Sequence, residues 1–536
     1  MEHGIACVAG KGVRDSWVIG GAFLLLALPS MIFCLGWLEW YVSVPLGVAL
    51  AGCAASVVFG RSPHVIRLSR GHVWKLLVLL LVVFVYQFQV GYTGHTYQHF
   101  DFFQRNAFYG NLISYPWPVV LPDGREMSYN LAFWLPPAFL CKLLAMGGVD
   151  CSSLSGVSGW VMLLWNVLLM YATLLLVFLK LKKVSFLFVL FFLGIGDAAV
   201  VFDYVPSMMG WLGQPMRPCF WSGELMVTCC NQFPFAYLAV ALMLQEGRPV
   251  WFYLVCGSLL LLVAPLSSLV LFVFLAGCMY KAWTGMRAAG VVVFSRGFVA
   301  WQAWAAYGLA GVAGVYYMRA EEPMAMFCVF RYVDGCSGVL KWLVPVALNF
   351  VLLNYLPWRY GRCRVWLLCA NVALLALPAV YMGGMNNELI MKGMPVVMFV
   401  FACLWAEAWY SGPRVRRDVL VWCCVAYTAV RLCGFVAVRV QKILPTWANW
   451  TYNVCDPFQG HLYHPGMAID QSVPGTREAK LPHVFLTKPG ASEEGALWFL
   501  CTPPSEKYEK DRYAPVRSYD NLDKPLPSIP HGLKGL

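Results

Sequence analysis

The sequence predicts an all-α polytopic membrane protein with about thirteen transmembrane helices, within a range of about eleven to fourteen. Of its 536 residues, 60% are hydrophobic and only 12% are charged, whereas soluble globular chains contain roughly 25% charged residues. Apolar runs long enough to cross a hydrocarbon core of about 30 Å recur along the chain. Short loops rich in lysine and arginine separate them, as in the cytoplasmic loops of membrane proteins. The net charge of +12 therefore reflects membrane topology, and we expect the partner to be a lipid bilayer and not a nucleic acid.

The individual spans follow from the apolar runs in chain order. Residues 251–282 are too long for one ordinary span, and Pro265 near their middle would interrupt a helix, so we predict a helical hairpin there. The other spans are predicted at residues 17–37, 40–60, 76–93, 157–179, 184–202, 231–246, 298–318, 337–357, 365–383, 393–411 and 419–438.

Residues 131–148 are ambiguous, because they include Pro136, Pro137 and Lys142 in a run only just long enough to cross. Loop charge decides between two topologies. The basic loops are residues 61–75, 180–183, 281–296, 359–364 and 414–417. If the segment does not cross, all five lie on the cytoplasmic face. If it crosses, the last four lie on the outer face instead. The positive-inside rule favours the first arrangement. We therefore predict a membrane-lying segment, a cytoplasmic N terminus and an extracytoplasmic C terminus, in an inner or plasma membrane.

This topology divides the chain into a transmembrane domain, residues 1–442, and a polar extracytoplasmic segment, residues 443–536. The acidic and aromatic loops then fall on the outer face. They are residues 94–156, 203–230, 319–336 and 384–392. We expect the functional residues to lie in these loops.

The first of these outer loops concentrates polar and aromatic side chains around Asp101, and we expect four of them to bind the substrate: His99, Arg105, Asn106 and Trp117, the last as an aromatic contact for the sugar. A carboxylate at the mouth of a membrane cavity can act as general base on a hydroxyl or bind a divalent cation such as Mg²⁺ or Mn²⁺. An arginine four residues later on a helix faces the same side. The alternative interpretation is a structural ion pair between Asp101 and Arg105.

The layout resembles the GT-C class of integral membrane glycosyltransferases, which take sugars from polyprenyl-phosphate carriers. The shared features are many membrane helices, a large outer loop with an acid near its starting helix, and a membrane-lying helix within that loop. Here the segment HFDFFQRNAFYGNLI contains Asp101, and residues 131–148 supply the membrane-lying helix. The chain differs from the usual pattern because this loop follows the third span and contains no paired acidic motif. The resemblance implies sugar transfer from a polyprenyl-phosphate-linked donor to a glycan, lipid or protein acceptor, with Asp101 as base or metal ligand.

The second outer loop adds Arg217, Glu224 and, just after it, Gln232, together with two tryptophans, Trp211 and Trp221. Tryptophan faces stack on sugar rings, and amides and carboxylates bond hydroxyl groups, so these residues could line a sugar site. The alternative is an aromatic belt that holds helices at the level of the lipid headgroups.

A cation near the outer boundary is expected to bind the donor phosphate, because neutralising its charge makes the polyprenyl phosphate a better leaving group. Lys392, Arg319 and Arg331 are the three candidates. Lys392 also lies four residues after Glu388, a spacing that permits a simple helix ion pair.

Two other classes stay open. A polysaccharide polymerase or ligase would also use outer-loop arginines and a lipid diphosphate. A secondary transporter of small solutes would need a buried carboxylate, for which Asp197 is the best candidate. No P-loop, dinucleotide-binding or metalloprotease motif occurs in a supporting context, so ATP-driven transport, dehydrogenase and protease functions have no basis.

Overall fold

The structure, a computed structural model, describes residues 6–7, 13–60, 65–67, 69–93, 96, 102–119, 130–149, 151–197, 232–288, 294–319, 326–329, 335–382 and 387–448. Most of these residues are helical. The α-helices are α1 (Asp15–Trp37), α2 (Trp40–Val58), α3 (Arg70–Phe88), α4 (Phe102–Ser114), α5 (Leu135–Met146), α6 (Cys151–Leu181), α7 (Phe186–Gly194), α8 (Phe233–Met243), α9 (Val250–Leu261), α10 (Pro265–Ala288), α11 (Phe294–Val299), α12 (Trp301–Met318), α13 (Gly335–Tyr360), α14 (Arg364–Ala376), α15 (Glu388–Tyr410) and α16 (Val419–Ala448).

Strands are limited to segments of two or three residues: β1 (Ala6–Cys7), β2 (Val13–Arg14), β3 (Val65–Arg67), β4 (Met326–Cys328) and β5 (Val380–Met382). The first three form a small antiparallel sheet in the order β1-β3-β2. The last two pair with Met326 opposite Met382. These strands fasten loop segments together and leave the all-α class unchanged.

Seven helices in the described ranges are long and apolar enough to cross a membrane, and they lie at Asp15–Trp37, Trp40–Val58, Arg70–Phe88, Gly156–Leu181, Pro265–Gly285, Gly335–Tyr360 and Glu388–Tyr410. The chain is therefore an integral membrane protein of the all-α class, as predicted. Helices α8, α9 and α14 are apolar but shorter. The total of about thirteen spans stays a prediction.

The helical hairpin predicted around Pro265 is confirmed. Helix α9 ends at Leu261, and α10 begins at Pro265. Proline is accommodated at this first position because its missing N–H would have no partner within the helix, and its fixed φ suits the first turn. The break leaves a turn at residues 262–264 inside the bundle, where Leu262, Val263 and Ala264 are buried.

The span predicted at residues 184–202 is wrong, because helix α7 ends at Gly194 after nine residues. Nine residues cover only about 14 Å. Close packing against α16 accounts for the glycine at this end: a Cβ on Gly194 would lie 2.3 Å from the Thr428 carbonyl oxygen. The backbone turns to an extended conformation at Ile195. Hydropathy measures only the length of the apolar run, so it does not predict this contact or the end of α7 at Gly194.

One end of the bundle is tied together by ion pairs. Glu246, between α8 and α9, accepts the ammonium groups of Lys180 from α6 and Lys281 from α10, each at 2.6 Å from Oε1. Arg248 in the same connection lies 3.7 Å from Asp15 at the start of α1. The short connection between α8 and α9 thus joins three further helices, α1, α6 and α10.

Asp418, just before α16, performs a similar role a short distance along the same end. Its Oδ2 accepts the hydroxyls of Tyr355 and Tyr360 from α13, at 2.8 and 2.7 Å. These two hydrogen bonds lower the pKa of Asp418. Tyr410, at the end of α15, shares a 2.8 Å hydrogen bond with Ser185 before α7.

We call this region the basic end; it comprises residues 13–15, 65–67, 180–185, 245–249, 281–288, 359–364 and 410–418. The prediction that the basic loops lie at one end of the bundle is confirmed for these described residues. That this end faces the cytoplasm stays a prediction.

At the opposite end, the chain leaves α3 and enters α6 at adjacent points. The Phe88 and Trp160 rings lie 5.9 Å apart. A Cβ on Gly159 would lie 2.6 Å from the Tyr92 carbonyl oxygen. Because the segment between α3 and α6 starts and finishes at the same end, α4 and α5 do not add a net crossing. That residues 131–148 lie on the membrane stays a prediction.

We predict that Glu246→Gln lowers the free energy of unfolding by about 1 kcal/mol at neutral pH, the upper range for a solvent-accessible ion pair. Burial raises the pKa of Glu246, but the hydrogen bonds and charges of Lys180 and Lys281 outweigh it and lower the pKa from 4.5 to about 2. A depressed carboxyl pKa means that the stabilisation is complete above the ordinary pKa and is lost as pH falls through the folded-state pKa. Thermal unfolding of both proteins in detergent should therefore show a gap that closes between pH 4.5 and 2. A gap independent of pH would contradict the ion pairing.

We predict that Gly194→Ala destabilises the protein by about 1–3 kcal/mol, as overpacking does in close-packed interiors. The added methyl group would collide with the backbone of Thr428. Gly311→Ala on α12 is the matched control, since nothing lies within 4 Å of a Cβ there. That control should be neutral or stabilising by up to about 1 kcal/mol. Equal unfolding temperatures for the two variants would refute the packing account.

Candidate functional site

Buried polar side chains converge on the turn between α9 and α10. Asn130, directly before the 3-10 turn Leu131–Trp134, donates from Nδ2 to the Gln232 side-chain oxygen at 2.5 Å and to the Val263 carbonyl at 3.1 Å. Asn130 and Gln232 are 4% and 6% exposed. The start of the α5 segment, the start of α8 and the 262–264 turn are thus joined by one amide.

The other side of the same turn meets α15. Ser267, in the first turn of α10, donates its hydroxyl to the Lys392 carbonyl at 2.6 Å. Asn387 caps α15 by accepting the Ile390 N–H, and Glu388 follows in the first turn, where a negative charge is favoured by the helix dipole. Lys392 Nζ lies 2.8 Å from Glu388 Oε2, with side chains 13% and 23% exposed. The ion pair predicted from their spacing is present.

Helix α12 approaches the turn through Tyr317. Its hydroxyl donates to the Leu261 carbonyl at 3.1 Å, and it lies 3.4 Å from the Leu262 carbonyl. Arg319 follows two residues later at the end of α12. We call the set Asn130, Gln232, Ser267, Tyr317 and Lys392 the turn cluster.

Asn130 Oδ1 and, on α6, Trp165 Nε1 are among the buried polar atoms that have no hydrogen-bond partner in the described structure. Trp165, on α6, packs against Phe235 at 5.8 Å, and Phe235 packs against Phe133, near Asn130. An unsatisfied buried polar atom costs about 1–3 kcal/mol. Such exceptions call for an explanation, and an acceptor and a donor in the same region suit a ligand with hydroxyl groups.

Helix α4 is anchored to its neighbours by polar contacts. The Tyr109 hydroxyl donates to the Ser158 carbonyl of α6 at 3.0 Å. Just beyond α4, the Tyr115 carbonyl accepts the ammonium group of Lys142 from α5 at 2.7 Å. Lys142 is 2% exposed, and burial lowers its pKa to about 7. In the sequence, Lys142 contributes only to the ambiguity of residues 131–148 as a span, and this positioning role is not predictable from it.

Trp117 occupies a packing position. Its indole N–H donates to the Leu112 carbonyl at 2.8 Å, and its ring lies 5.6 Å from that of Trp37. The ammonium group of Lys142 lies 5.2 Å from the same ring. These contacts fix the chain after α4, and the binding of a sugar by Trp117 stays a prediction.

The predicted site residues divide into two sets. Gln232 and Lys392 belong to the turn cluster, and Glu388 and Arg319 lie next to it. Arg105 lies on α4, which packs on the Leu131–Trp134 turn through Phe108 and Trp134. Other candidates lie outside the described residues, namely His99, Asp101, Arg217, Glu224 and Arg331, as does the side chain of Asn106. Asn130 and Trp165 were missed; an asparagine directly before an apolar run is the only local signal that marked the first of them.

Asp197, the carboxylate that a transporter would need, is engaged with neighbouring helices. Its Oδ1 accepts the side-chain amide of Asn349 from α13 at 2.9 Å. Its carbonyl accepts Arg431 from α16 at 2.7 Å, and Tyr427 donates to the Gly196 carbonyl at 3.2 Å. Asp197 is 7% exposed. These contacts secure the chain directly after α7.

The part of the chain that the structure describes contains no group of three or more His, Cys, Asp or Glu side chains able to hold a metal ion. Divalent-cation binding by Asp101 therefore stays a prediction. Comparison with family models, with curated proteins and with solved structures gives no match.

We predict that Asn130→Leu lowers the free energy of unfolding by about 1–3 kcal/mol, because it leaves the Gln232 side-chain oxygen and the Val263 carbonyl buried without their donor. Gln302→Leu on α12 is the control, since it removes a part-buried amide with no hydrogen bond among the described residues. Chemical unfolding in mixed micelles measures both. An Asn130→Leu protein as stable as the control would contradict the role of this amide.

Proposed function

We propose that the protein is an integral membrane glycosyltransferase of the GT-C type, which moves a sugar from a polyprenyl-phosphate-linked donor to a glycan, lipid or protein acceptor. The observation that carries the proposal is the pair α4 and α5, inserted without a net crossing between α3 and α6 and bonded to the turn cluster through Asn130. This arrangement is the one that the resemblance to the GT-C class implies for the loop containing the catalytic acid.

Lys392 is the proposed ligand of the donor phosphate. Its ammonium group is largely buried and is held by Glu388 at 2.8 Å. A buried cation stabilises the charge that develops on a leaving phosphate more strongly than a solvated one. Arg319, at the end of α12, is the second proposed phosphate ligand, since a guanidinium group can bind phosphate oxygens in a bidentate manner.

The sugar is proposed to lie beside the unpartnered atoms of the turn cluster region. Asn130 Oδ1 can accept a hydrogen bond from a sugar hydroxyl, and Trp165 Nε1 can donate one. Both atoms then gain the partner that they lack in the described structure. The neighbouring Phe133 and Phe235 rings supply the apolar wall of such a site.

Asp101 is the proposed general base, or the ligand of a divalent cation. In sequence it directly precedes α4, which Tyr109 and Lys142 help to hold in place. In the proposed step the acceptor hydroxyl gives its proton to Asp101 as its oxygen bonds to the anomeric carbon. The bond between that carbon and the phosphate oxygen breaks, and the electron pair leaves with the polyprenyl phosphate held by Lys392.

We predict that Asp101→Asn and Lys392→Gln each reduce sugar transfer by about 10²–10³-fold, the effect typical of losing a general base or one charge-stabilising group. Purified full-length protein in liposomes, supplied with radiolabelled polyprenyl-phosphate sugars and candidate acceptors, gives the rates. Arg416→Gln at the basic end is the control and should retain full activity, because this exposed side chain is remote from the turn cluster.

Unchanged transfer by both Asp101→Asn and Lys392→Gln would overturn the proposal. Transfer that requires a lipid diphosphate donor would instead favour a polysaccharide polymerase or ligase. Solute flux that is abolished by Asp197→Asn, without any sugar transfer, would favour a transporter.

A further inference from the structure

The basic end contains a cavity of about 660 Å³, far from the turn cluster. It lies among the ends of α6, α10 and α15, the connection after α8, and the connection between α13 and α14. Five basic side chains line it, namely Lys180, Lys182, Lys281, Arg362 and Arg364. Only two carboxylates, Glu246 and Glu407, oppose them. Positive charge is therefore in excess within the cavity.

The basic residues of this cavity differ in how they are engaged. Glu246 pairs with both Lys180 and Lys281 at 2.6 Å, so these lysines build the wall. Arg364 donates to the Trp358 carbonyl at 2.8 Å. Lys182 and Arg362 are exposed, and their side chains make no ion pair with the other residues that the structure describes. These two cations are available to an anionic ligand.

Apolar side chains form the remainder of the lining, including Leu181, Leu244, Trp366 and Leu404. A free phosphate ion gains nothing from such a surface, whereas a phospholipid presents a phosphate and an apolar glycerol-ester region in one molecule. The combination of a cationic mouth and an apolar wall at a membrane boundary therefore favours a lipid headgroup.

We infer that this cavity binds the phosphate of an anionic phospholipid, with Lys182 and Arg362 as its ligands. A guanidinium and an ammonium group together match a phosphodiester well, since arginine can bind two oxygens and lysine adds a compact charge. The end predicted to face the cytoplasm also faces the leaflet that carries anionic lipid in cell membranes. The inference is independent of the proposed sugar transfer, which concerns the opposite end.

The test compares two double variants with the same loss of charge. Lys182→Gln/Arg362→Gln removes the proposed ligands, and Arg416→Gln/Arg417→Gln removes two exposed arginines of the same end that do not line the cavity. Full-length protein in detergent is titrated with phosphatidylglycerol, phosphatidylcholine or inorganic phosphate, and bound lipid is counted by native mass spectrometry. Unfolding temperatures establish that all proteins are folded, and the two single cavity variants replace the double one if it does not fold.

We expect phosphatidylglycerol to bind the wild-type and control proteins equally, and the cavity variant about thirtyfold more weakly, since each surface charge contributes a factor of about five. Phosphatidylcholine should bind weakly and equally to all three. Equal weakening in both double variants would show general charge attraction and overturn the inference. Displacement of the lipid by an equal concentration of inorganic phosphate would also overturn it, because the site would then select free phosphate.

Discussion

The membrane interior offers no water to a polar group, so each backbone carbonyl that a helix releases inside the bundle needs a partner from the protein. Among the described helices, α7 and α9 end inside the bundle, and in both cases side chains of other elements bond the released carbonyls. After α7, Tyr427 and Arg431 bond the carbonyls of Gly196 and Asp197. After α9, the carbonyls of Leu261 and Val263 accept hydrogen bonds from Tyr317 and Asn130. Side chains of neighbouring elements thus supply the hydrogen bonds that these helix ends lack. The same hydrogen bonds connect the helices of the bundle to one another.

Some buried side-chain atoms, in contrast, have no hydrogen-bond partner among the described residues. Gln87, near the end of α3, is fully buried, and neither its Nε2 nor its Oε1 has a partner within the described ranges. Asn130 Oδ1 and Trp165 Nε1 share this property. A buried polar atom without a partner in the protein is a place where water or another bound molecule can supply the hydrogen bond. These atoms belong to α3, α6 and the segment before α5; in sequence, α3 precedes and α6 follows the loop that contains Asp101.

Sequence patterns predict the features of this fold that depend on residues close together in the chain. Apolar length predicts the all-α membrane class, Pro265 predicts the break between α9 and α10, and four-residue spacing predicts the pairing of Glu388 with Lys392. The early end of α7 is not predictable in this way, because it involves Gly194 packing on Thr428, more than two hundred residues later in the chain. The turn cluster is equally non-local: the donor Asn130 and the acceptor Val263 are separated by 133 residues. The packing contacts of Trp117 with Leu112 and Trp37 are likewise not predictable from aromatic composition, and its role in sugar binding stays a prediction.

The two ends of the bundle are stabilised by different forces. At the basic end, Glu246 bridges α6 and α10, and Asp418 joins α13 to the start of α16, so ionic contacts link separate elements. Among the described residues nearer the opposite end, the ion pair of Glu388 and Lys392 lies within a single helix, α15. Each exposed ion pair contributes only about 0–1 kcal/mol, but several that join different helices restrict their relative motion together. The 262–264 turn depends instead on single hydrogen bonds from Asn130 and Tyr317 to backbone carbonyls. Breaking one of them would leave a buried carbonyl without a partner, at a cost of about 1–3 kcal/mol, so these few bonds restrict the turn at least as strongly as an exposed ion pair restricts the basic end.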